Sequence, residues 1–270
     1  MTDSVAGNAQ TILSPARWRA LNWRFLPAVP ASPAMNMARD TAILDAVAAG
    51  TRPATLRIWG WDRTSVVLGR FQSVRNEVDA DAAAAHDVTL VRRITGGGAM
   101  FVQPTGAITY SLVAPESLVA GMSYAESYAA FDLWAVEGLR SLGVQASYVP
   151  LNDIASPAGK IGGAAQARRG GAVLHHTTIA CELDTDLMAQ VLRIGREKLS
   201  DKGITSAAKR VSPLRQQTDL PRDAIIAHLV AHFRDRYGLT DDALTPAEED
   251  AANHVAETQF ATRAWTYLLP

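Results

Sequence analysis

The stretches with strand character in this chain do not take turns with its helices, and that order limits what it can fold into. Leu56–Trp61 and Ser65–Leu68 follow one another across a turn at Trp61-Asp62-Arg63. After a short helical stretch at Val78–Asp87, strand patterns resume at Val88–Ile94 and Ala107–Ala114. An amphipathic helix over Ser123–Leu142 separates these from a second group at Gln145–Leu151, Lys160–Ala167 and Ala172–Leu183. Helical spacing also marks Asn36–Ala49, with Asn36 as its cap, and Asp186–Ile194, Pro221–Tyr237 and Pro246–Phe260, with Pro221 in a first turn. A doubly wound parallel sheet needs a helix between successive strands, so this order predicts an α+β fold with a mixed sheet and packed helices. Residues 1–16 read as a loose polar tail and 17–270 as a single domain.

With 270 residues, 48% of them hydrophobic and 20% charged, the chain is long enough to bury a real core. A net charge of −1 gives no general field that would favour nucleic acid or an acidic membrane. A single cysteine, Cys181, excludes an internal disulfide framework and points to a reducing compartment. The N-terminus lacks the basic-then-apolar pattern of a secretion signal, and no apolar run approaches the ~20 residues of a membrane span. The expectation is a cytoplasmic protein with no nucleic-acid or membrane partner.

Three stretches carry chemistry. In VRRITGGGAMF, Val91–Phe101, two arginines precede three glycines. Backbone N–H groups at such a bend can bind an anion that Arg92 or Arg93 would also meet; alternatively the bend is a hairpin corner with solvated arginines. There is no lysine-serine ending of a P-loop and no G-x-G-x-x-G between strand and helix. In NDIASPAGKIGGAAQARR, Asn152–Arg169, Lys160 stands beside small residues that let a ligand lie against the backbone. It is either a cation that neutralises phosphate or polarises a carbonyl, or an ordinary surface lysine. Asn152 and Asp153 suit a turn, or could hold a hydroxyl, a ring nitrogen or a metal. In LHHTTIACELD, Leu174–Asp184, the adjacent histidines point to opposite faces of a strand and cannot share a metal. One of them lines a pocket while the other packs or is solvated. Cys181 reads as a small core residue in that strand, with a nucleophile as the alternative.

Taken in order, these stretches resemble the lipoate–protein ligase and octanoyltransferase family, whose catalytic domain is shared with biotin protein ligases. The likeness runs from about Trp23. It includes WRFLPAVPASPAMNMARDTAIL, LRIWGWDRTSVVLGRFQSVRNEVD ending in the family's G-R-x-Q segment, the R-R-x-[ST]-G-G-G-A signature, N-D-I with the following G-K-I-x-G, the histidine pair, and KLSDKGITSAAKRVSPL. The resemblance implies a largely antiparallel sheet, the biotin/lipoate ligase catalytic-domain fold. It also implies ATP-dependent activation of lipoate to lipoyl-adenylate, then transfer to a lysine of a lipoyl-carrier domain, such as a glycine-cleavage H-like protein or a 2-oxoacid dehydrogenase E2. By the same likeness, Arg93, Gly97, Gly98, Ala99, Met100, Phe101, Asn152, Asp153 and Lys160 would bind ATP and the adenylate. Lys160 would be the catalytic residue, contacting α-phosphate and acyl carbonyl, and Asp153 would hold Mg2+. Arg70, Gly163, Ala165 and His176 would shape the acyl pocket, with an apolar slot supplied around Trp59 and Val67.

Departures from the family pattern bear on which activity is meant. Val102 and Gln103 stand where the family has histidine-aspartate, and Thr177 replaces the glycine after the histidine pair. The family's octanoyltransferases use an acyl-thioester on a cysteine without ATP. In the group most similar to this N-terminus, that cysteine lies where this chain has VPLNDIASPAGK, with none. A ligase is therefore expected over a transferase, a biotin ligase or a non-catalytic lipoate or lipoyl-domain binder. Many bacterial relatives carry a C-terminal accessory domain, for which the tail ending in WTYLLP leaves no room; a separate accessory polypeptide is expected instead.

Overall fold

The structure, a computed structural model, describes residues 15–193 and 211–270. Most of the expected tail, the end of the Asp186–Ile194 helix and most of the element at 198–214 lie outside the described residues. Pro15 and Ala16, expected in the tail, instead open a short helix, Pro15–Arg19, that buries Trp18.

The strands are β1 (Arg24–Leu26), β2 (Pro30–Ala31), β3 (Thr55–Ile58), β4 (Gly60–Trp61), β5 (Ser65–Leu68), β6 (Thr89–Arg92) and β7 (Met100–Val102), then β8 (Ala107–Pro115), β9 (Ser147–Val149), β10 (Asp153–Ser156), β11 (Gly159–Arg169), β12 (Ala172–Ala180) and β13 (Thr240–Asp241). Among the described residues they form an eight-stranded sheet in the order β13-β1-β3-β8-β12-β11-β10-β9, a three-stranded sheet β6-β5-β7 and a β2-β4 ribbon. Every pairing from β3 out to β9 is antiparallel, and β1 pairs in parallel with both β3 and β13. The fold is the mixed, largely antiparallel α+β arrangement expected.

The large sheet is covered on both sides. Strand β8 is buried along nearly its whole length, which is why AITYSLVA shows little polar alternation. On one face lie helices Tyr124–Ser141 and Arg222–Tyr237. Phe131, Trp134, Phe233 and Tyr237 pack there with Trp18 and Trp23, all at most 5% exposed. Each such side chain contributes about 1.5–3 kcal/mol by leaving water. Against the other face lies helix Pro33–Ala48, whose Ile43, Leu44 and Val47 meet Val113 and Leu174.

Three expectations need correction. Asn36 is not a cap: Ser32 Oγ accepts from Met35 N at 3.2 Å, and Pro33 occupies the first turn. Asn36 is fully buried inside the helix, its amide donating to Gly60 O at 2.8 Å. The Ser-Pro pair outweighs the asparagine as a start signal because proline's missing N–H costs nothing in a first turn. Met100–Val102 and Asp153–Ser156, not expected as strands, pair with β5 and with β9 and β11. Cys181 lies just beyond β12, which ends at Ala180.

The C-terminal helix Pro246–Val255 is tied to the sheet through a buried charge. Thr245 and Glu248 form a reciprocal capping box. Glu248 also receives both terminal nitrogens of Arg24, one of them at 3.2 Å, and Arg24 is 2% exposed. Glu248→Ala leaves Arg24 with the neutral Thr55 Oγ1 at 2.8 Å and, of its carboxylate partners, the longer contact to Asp242 at 3.5 Å. A loss of about 3 kcal/mol in unfolding free energy is expected, read from urea denaturation.

Candidate active site

The register of β11 decides where Lys160 points. Ile154 pairs with Gly162, but the next residue, Ala155, pairs with Lys160, so Ile161 is an extra residue on β11. Strict alternation from Gly163 would send Lys160 to the face packed by helix Tyr124–Ser141. The bulge reverses it. Ile161 turns into the core with Ile154 and Ile179, while Lys160 joins Asp153 and Gly163 on the opposite face. There its Nζ lies 2.8 Å from Asp153 Oδ1, with the lysine side chain 32% exposed and the aspartate 8%. A Cβ on Gly163 would come within 3.0 Å of that Nζ, so the glycine is what lets the amine lie across the strand.

The same face carries Ala165 opposite His176, and His176 opposite Ser111. His176 Nε2 is 2.8 Å from Thr95 Oγ1, which links the sheet to the glycine bend. Its Nδ1 is 3.5 Å from Asp40 Oδ2. Asp40 in turn holds Arg57 at 2.7 Å. The ring meets Trp59 edge-on at 5.6 Å, and Trp59 Nε1 donates to Ser111 Oγ at 2.7 Å. His175 points the other way, as expected of neighbours in a strand, to Asp132 at 2.9 Å and the face of Phe131.

The two arginines before the glycines answer the question the sequence raised, and neither is solvated. Arg92, fully buried, donates to Gly69 O at 2.9 Å, Gln72 O at 2.6 Å and Thr266 O at 2.8 Å. Arg93, 5% exposed, donates to Gly96 O at 2.7 Å, Gly98 O at 2.9 Å and Val67 O at 3.1 Å. Burial depresses its pKa to about 10. Arg93, expected to wrap the adenylate, thus has its guanidinium engaged with the carbonyls of the bend, where it fixes the bend's shape. Gly97 sits at φ +93°, and its carbonyl oxygen lies 2.0 Å from where Gly69 would carry a Cβ. Gly69, which sequence reasoning passed over inside the G-R-x-Q segment, is the floor on which the bend rests.

Gly97 and Gly98 are exposed, while Ala99 and Met100 are half-buried. Phe101 packs its ring under the small sheet with Val66 and Leu68. Trp59 and Val67, expected beside an acyl slot, share a closed cluster with Val102, so the residue standing for the family's histidine is core. Gln103 accepts from Asp184 N at 3.0 Å. Asn152 spends its amide on Ala164 O at 2.7 Å, tying β10 to β11. Asp153, expected to hold magnesium, has its Oδ1 against the Lys160 ammonium at 2.8 Å, a charge with which a metal ion at that oxygen would compete. Arg70 is half-buried beside the bend, its N–H donating to Thr95 O at 2.8 Å. Cys181 is 1% exposed on the face opposite Gly163, and burial raises its thiol pKa.

Comparison with known proteins decides the family. Residues 32–234 match the model of the lipoyl protein ligase A/B catalytic domain. The chain belongs to that family. Lipoate-protein ligase A subunit 1 of Thermoplasma acidophilum is 31% identical over 87% of this chain and 92% of its own. Octanoyltransferase LipM of Kyrpidia tusciae is 32% identical over 91% of this chain and 98% of its own. Among solved structures, a bi-partite lipoate protein ligase from T. acidophilum, described with its E2 lipoyl domain, superposes with TM-score 0.80 at 30% identity, covering 93% of this chain and 98% of that one. A lipoate-protein ligase A bound with ATP gives TM-score 0.78 at 27% identity, covering 92% and 100%. The protein is thus an enzyme-family member of lipoate ligase-like or octanoyltransferase-like type. No helix among the described residues is long and apolar enough to cross a membrane.

Two outcomes follow. Gly69→Ala must displace the Gly97 carbonyl, and a shift of that size is expected to lower acyl transfer to a carrier domain about 100-fold. Burial holds the His176 pKa below its ordinary 6.5 despite the nearby Asp40 carboxylate. The folded chain therefore resists protonation there while the unfolded chain accepts it. Stability present above pH 6.5 should decline as pH falls through that value towards the lowered folded pKa, and His176→Gln should flatten that part of a stability–pH profile.

Proposed function

We propose that the chain is an ATP-dependent lipoate–protein ligase. In the first half-reaction the lipoate carboxylate attacks the α-phosphorus of ATP, forming lipoyl-AMP and releasing pyrophosphate. In the second, the ε-amine of a carrier-domain lysine attacks the acyl carbonyl, forming an amide, losing a proton and releasing AMP. Lys160 carries this reading. Its ammonium, held at 2.8 Å by Asp153 and laid over Gly163, is a fixed positive charge for an α-phosphate and for the oxygen of the attacked carbonyl. The exposed Gly97–Gly98 backbone, braced by Arg93, supplies N–H groups on which phosphate could rest. Lipoic acid bound in one similar T. acidophilum structure, at 27% identity, and ATP bound in another ligase support both ligands. Magnesium would accompany the nucleotide phosphates and offset their charge.

A second reading, octanoyl or lipoyl transfer between carriers without ATP, is favoured by the LipM relatives. Against it stands the placement of sulfur. The segment Val149–Lys160 has no thiol, and Cys181 is buried on the reverse face with its pKa raised, conditions that suppress a thiolate. The partner is proposed to be a lipoyl-carrier domain. The bi-partite Thermoplasma relative supports a separate accessory polypeptide.

The test is the mass of an apo-lipoyl domain after incubation with enzyme, free lipoate and Mg-ATP, beside a second mixture of octanoyl-carrier without nucleotide. A lipoyl increment only in the first, with and without a candidate accessory protein, is expected. An octanoyl increment in the second alone rejects the ligase reading. Lys160→Ala should reduce transfer by about 100- to 1,000-fold while leaving binding of the carrier domain unchanged. Transfer that survives the substitution removes Lys160 from the chemistry.

A further inference from the structure

The residues after Phe260 turn back to the G-R-x-Q segment, and one of them bears directly on Arg70. The main chain of Arg70 is fixed from both sides. Its N–H donates to Thr95 O at 2.8 Å, and its carbonyl accepts from Arg92 Nη1 at 3.3 Å. What remains free is the long side chain, whose charge is useful to a ligand only if its direction is also set.

Trp265 sets it. The Arg70 guanidinium carbon stands 4.5 Å from the centroid of the Trp265 ring. Phe71 also lies beneath the guanidinium, but at 5.8 Å, near the limit of such attraction, and that ring is itself 77% exposed. Indole has the stronger face and the shorter distance, so Trp265 dominates. The indole is in turn immobilised. Its Nε1 donates to Arg92 O at 2.9 Å, and its ring meets Phe260 edge-on at 5.9 Å. The short helix that carries it, Arg263–Thr266, ends on the buried Arg92, which takes the Thr266 carbonyl through two nitrogens at 3.0 and 2.8 Å. Leu269 O accepts from Val74 N at 3.0 Å and closes the segment onto the other side of the turn.

We propose that Trp265 is a positioning residue of the ligand site: its ring aims the Arg70 guanidinium beside the glycine bend, to meet an anionic group of the substrate. That group is the carboxylate of the free acid or the phosphate of its adenylate. The inference rests on the ligase reading and on Arg70 being a ligand contact, as the family resemblance implies. Nothing in the sequence singles out Trp265, which lies beyond residues 32–234 of the family match.

The test is a double-mutant cycle read by calorimetric affinity for lipoate, with neutral lipoamide as the control. Trp265→Leu is expected to weaken lipoate about three- to tenfold and to leave lipoamide unchanged. Trp265→Phe, which keeps a ring face but loses the bond to Arg92 O, should stay within about twofold of the parent. In an Arg70→Met background, Trp265→Leu should cost nothing more. Equal weakening of lipoate and lipoamide, or an undiminished effect of Trp265→Leu without Arg70, would show a merely structural tryptophan and overturn the inference. A parent chain that binds neither compound would overturn the ligase reading as well, and the parent measurement alone reveals that case.

Discussion

Everything at this site hangs on an amine pinned to a carboxylate across a glycine. The Lys160–Asp153 contact of 2.8 Å is possible only because β11 carries an extra residue and because Gly163 offers no side chain. The bulge turns the lysine out of the core and Ile161 into it, so one local irregularity serves packing and chemistry together. A partly exposed ion pair of this kind adds little to stability. Its value lies in direction: the carboxylate holds a flexible four-carbon chain in one orientation while leaving the ammonium able to meet a second anion.

The glycine bend opposite is built on the reverse principle, with charge buried and spent on carbonyl groups. Arg92 and Arg93 lie side by side in sequence at the end of β6 and serve different partners. Arg92 gathers the Gly69–Gln72 turn and the C-terminal segment, and Arg93 gathers the bend itself. Burial lowers the pKa of both, yet each stays charged at neutral pH, because guanidinium begins so far above it. Charge-assisted bonds to carbonyls are stronger than neutral ones, which suits a loop whose glycines provide no side-chain packing. The Gly97 carbonyl pressed onto Gly69 then sets the distance between the two loops. Thr95 and His176 connect this assembly to the large sheet at 2.8 Å, so bend, histidine and lysine share one frame.

Much of this was legible in the sequence, for identifiable reasons. Long periodic elements stood out: the Tyr124–Ser141 helix begins at Ser123 with a capping box that Ser-x-x-Glu announces, and β12 fills most of Ala172–Leu183. Strand alternation separated His175 from His176. The motifs singled out Lys160, Asp153, Gly163, Ala165 and His176, which the folded sheet gathers on one face. What stayed hidden depends on contacts far apart in the chain. Arginine beside glycine reads the same whether it faces solvent, a ligand or carbonyls. A bulge leaves no mark in K-I-G-G, and without it simple alternation assigns Lys160 to the wrong face. Two-strand partners as short as Met100–Val102 carry too few residues to show a period. Gly69 and Trp265 matter only through residues 28 and 195 positions away, Gly97 and Arg70, which no local pattern encodes.

The most direct measurement is a crystal structure with a non-hydrolysable lipoyl-adenylate analogue bound. Lys160 Nζ is expected at about 3 Å from both the acyl carbonyl mimic and an α-phosphate oxygen, with Asp153 still beside it and the phosphate lying against the Gly97–Gly98 backbone. An analogue seated with its acyl carbonyl away from Lys160, or with that amine turned to bulk solvent, would contradict it.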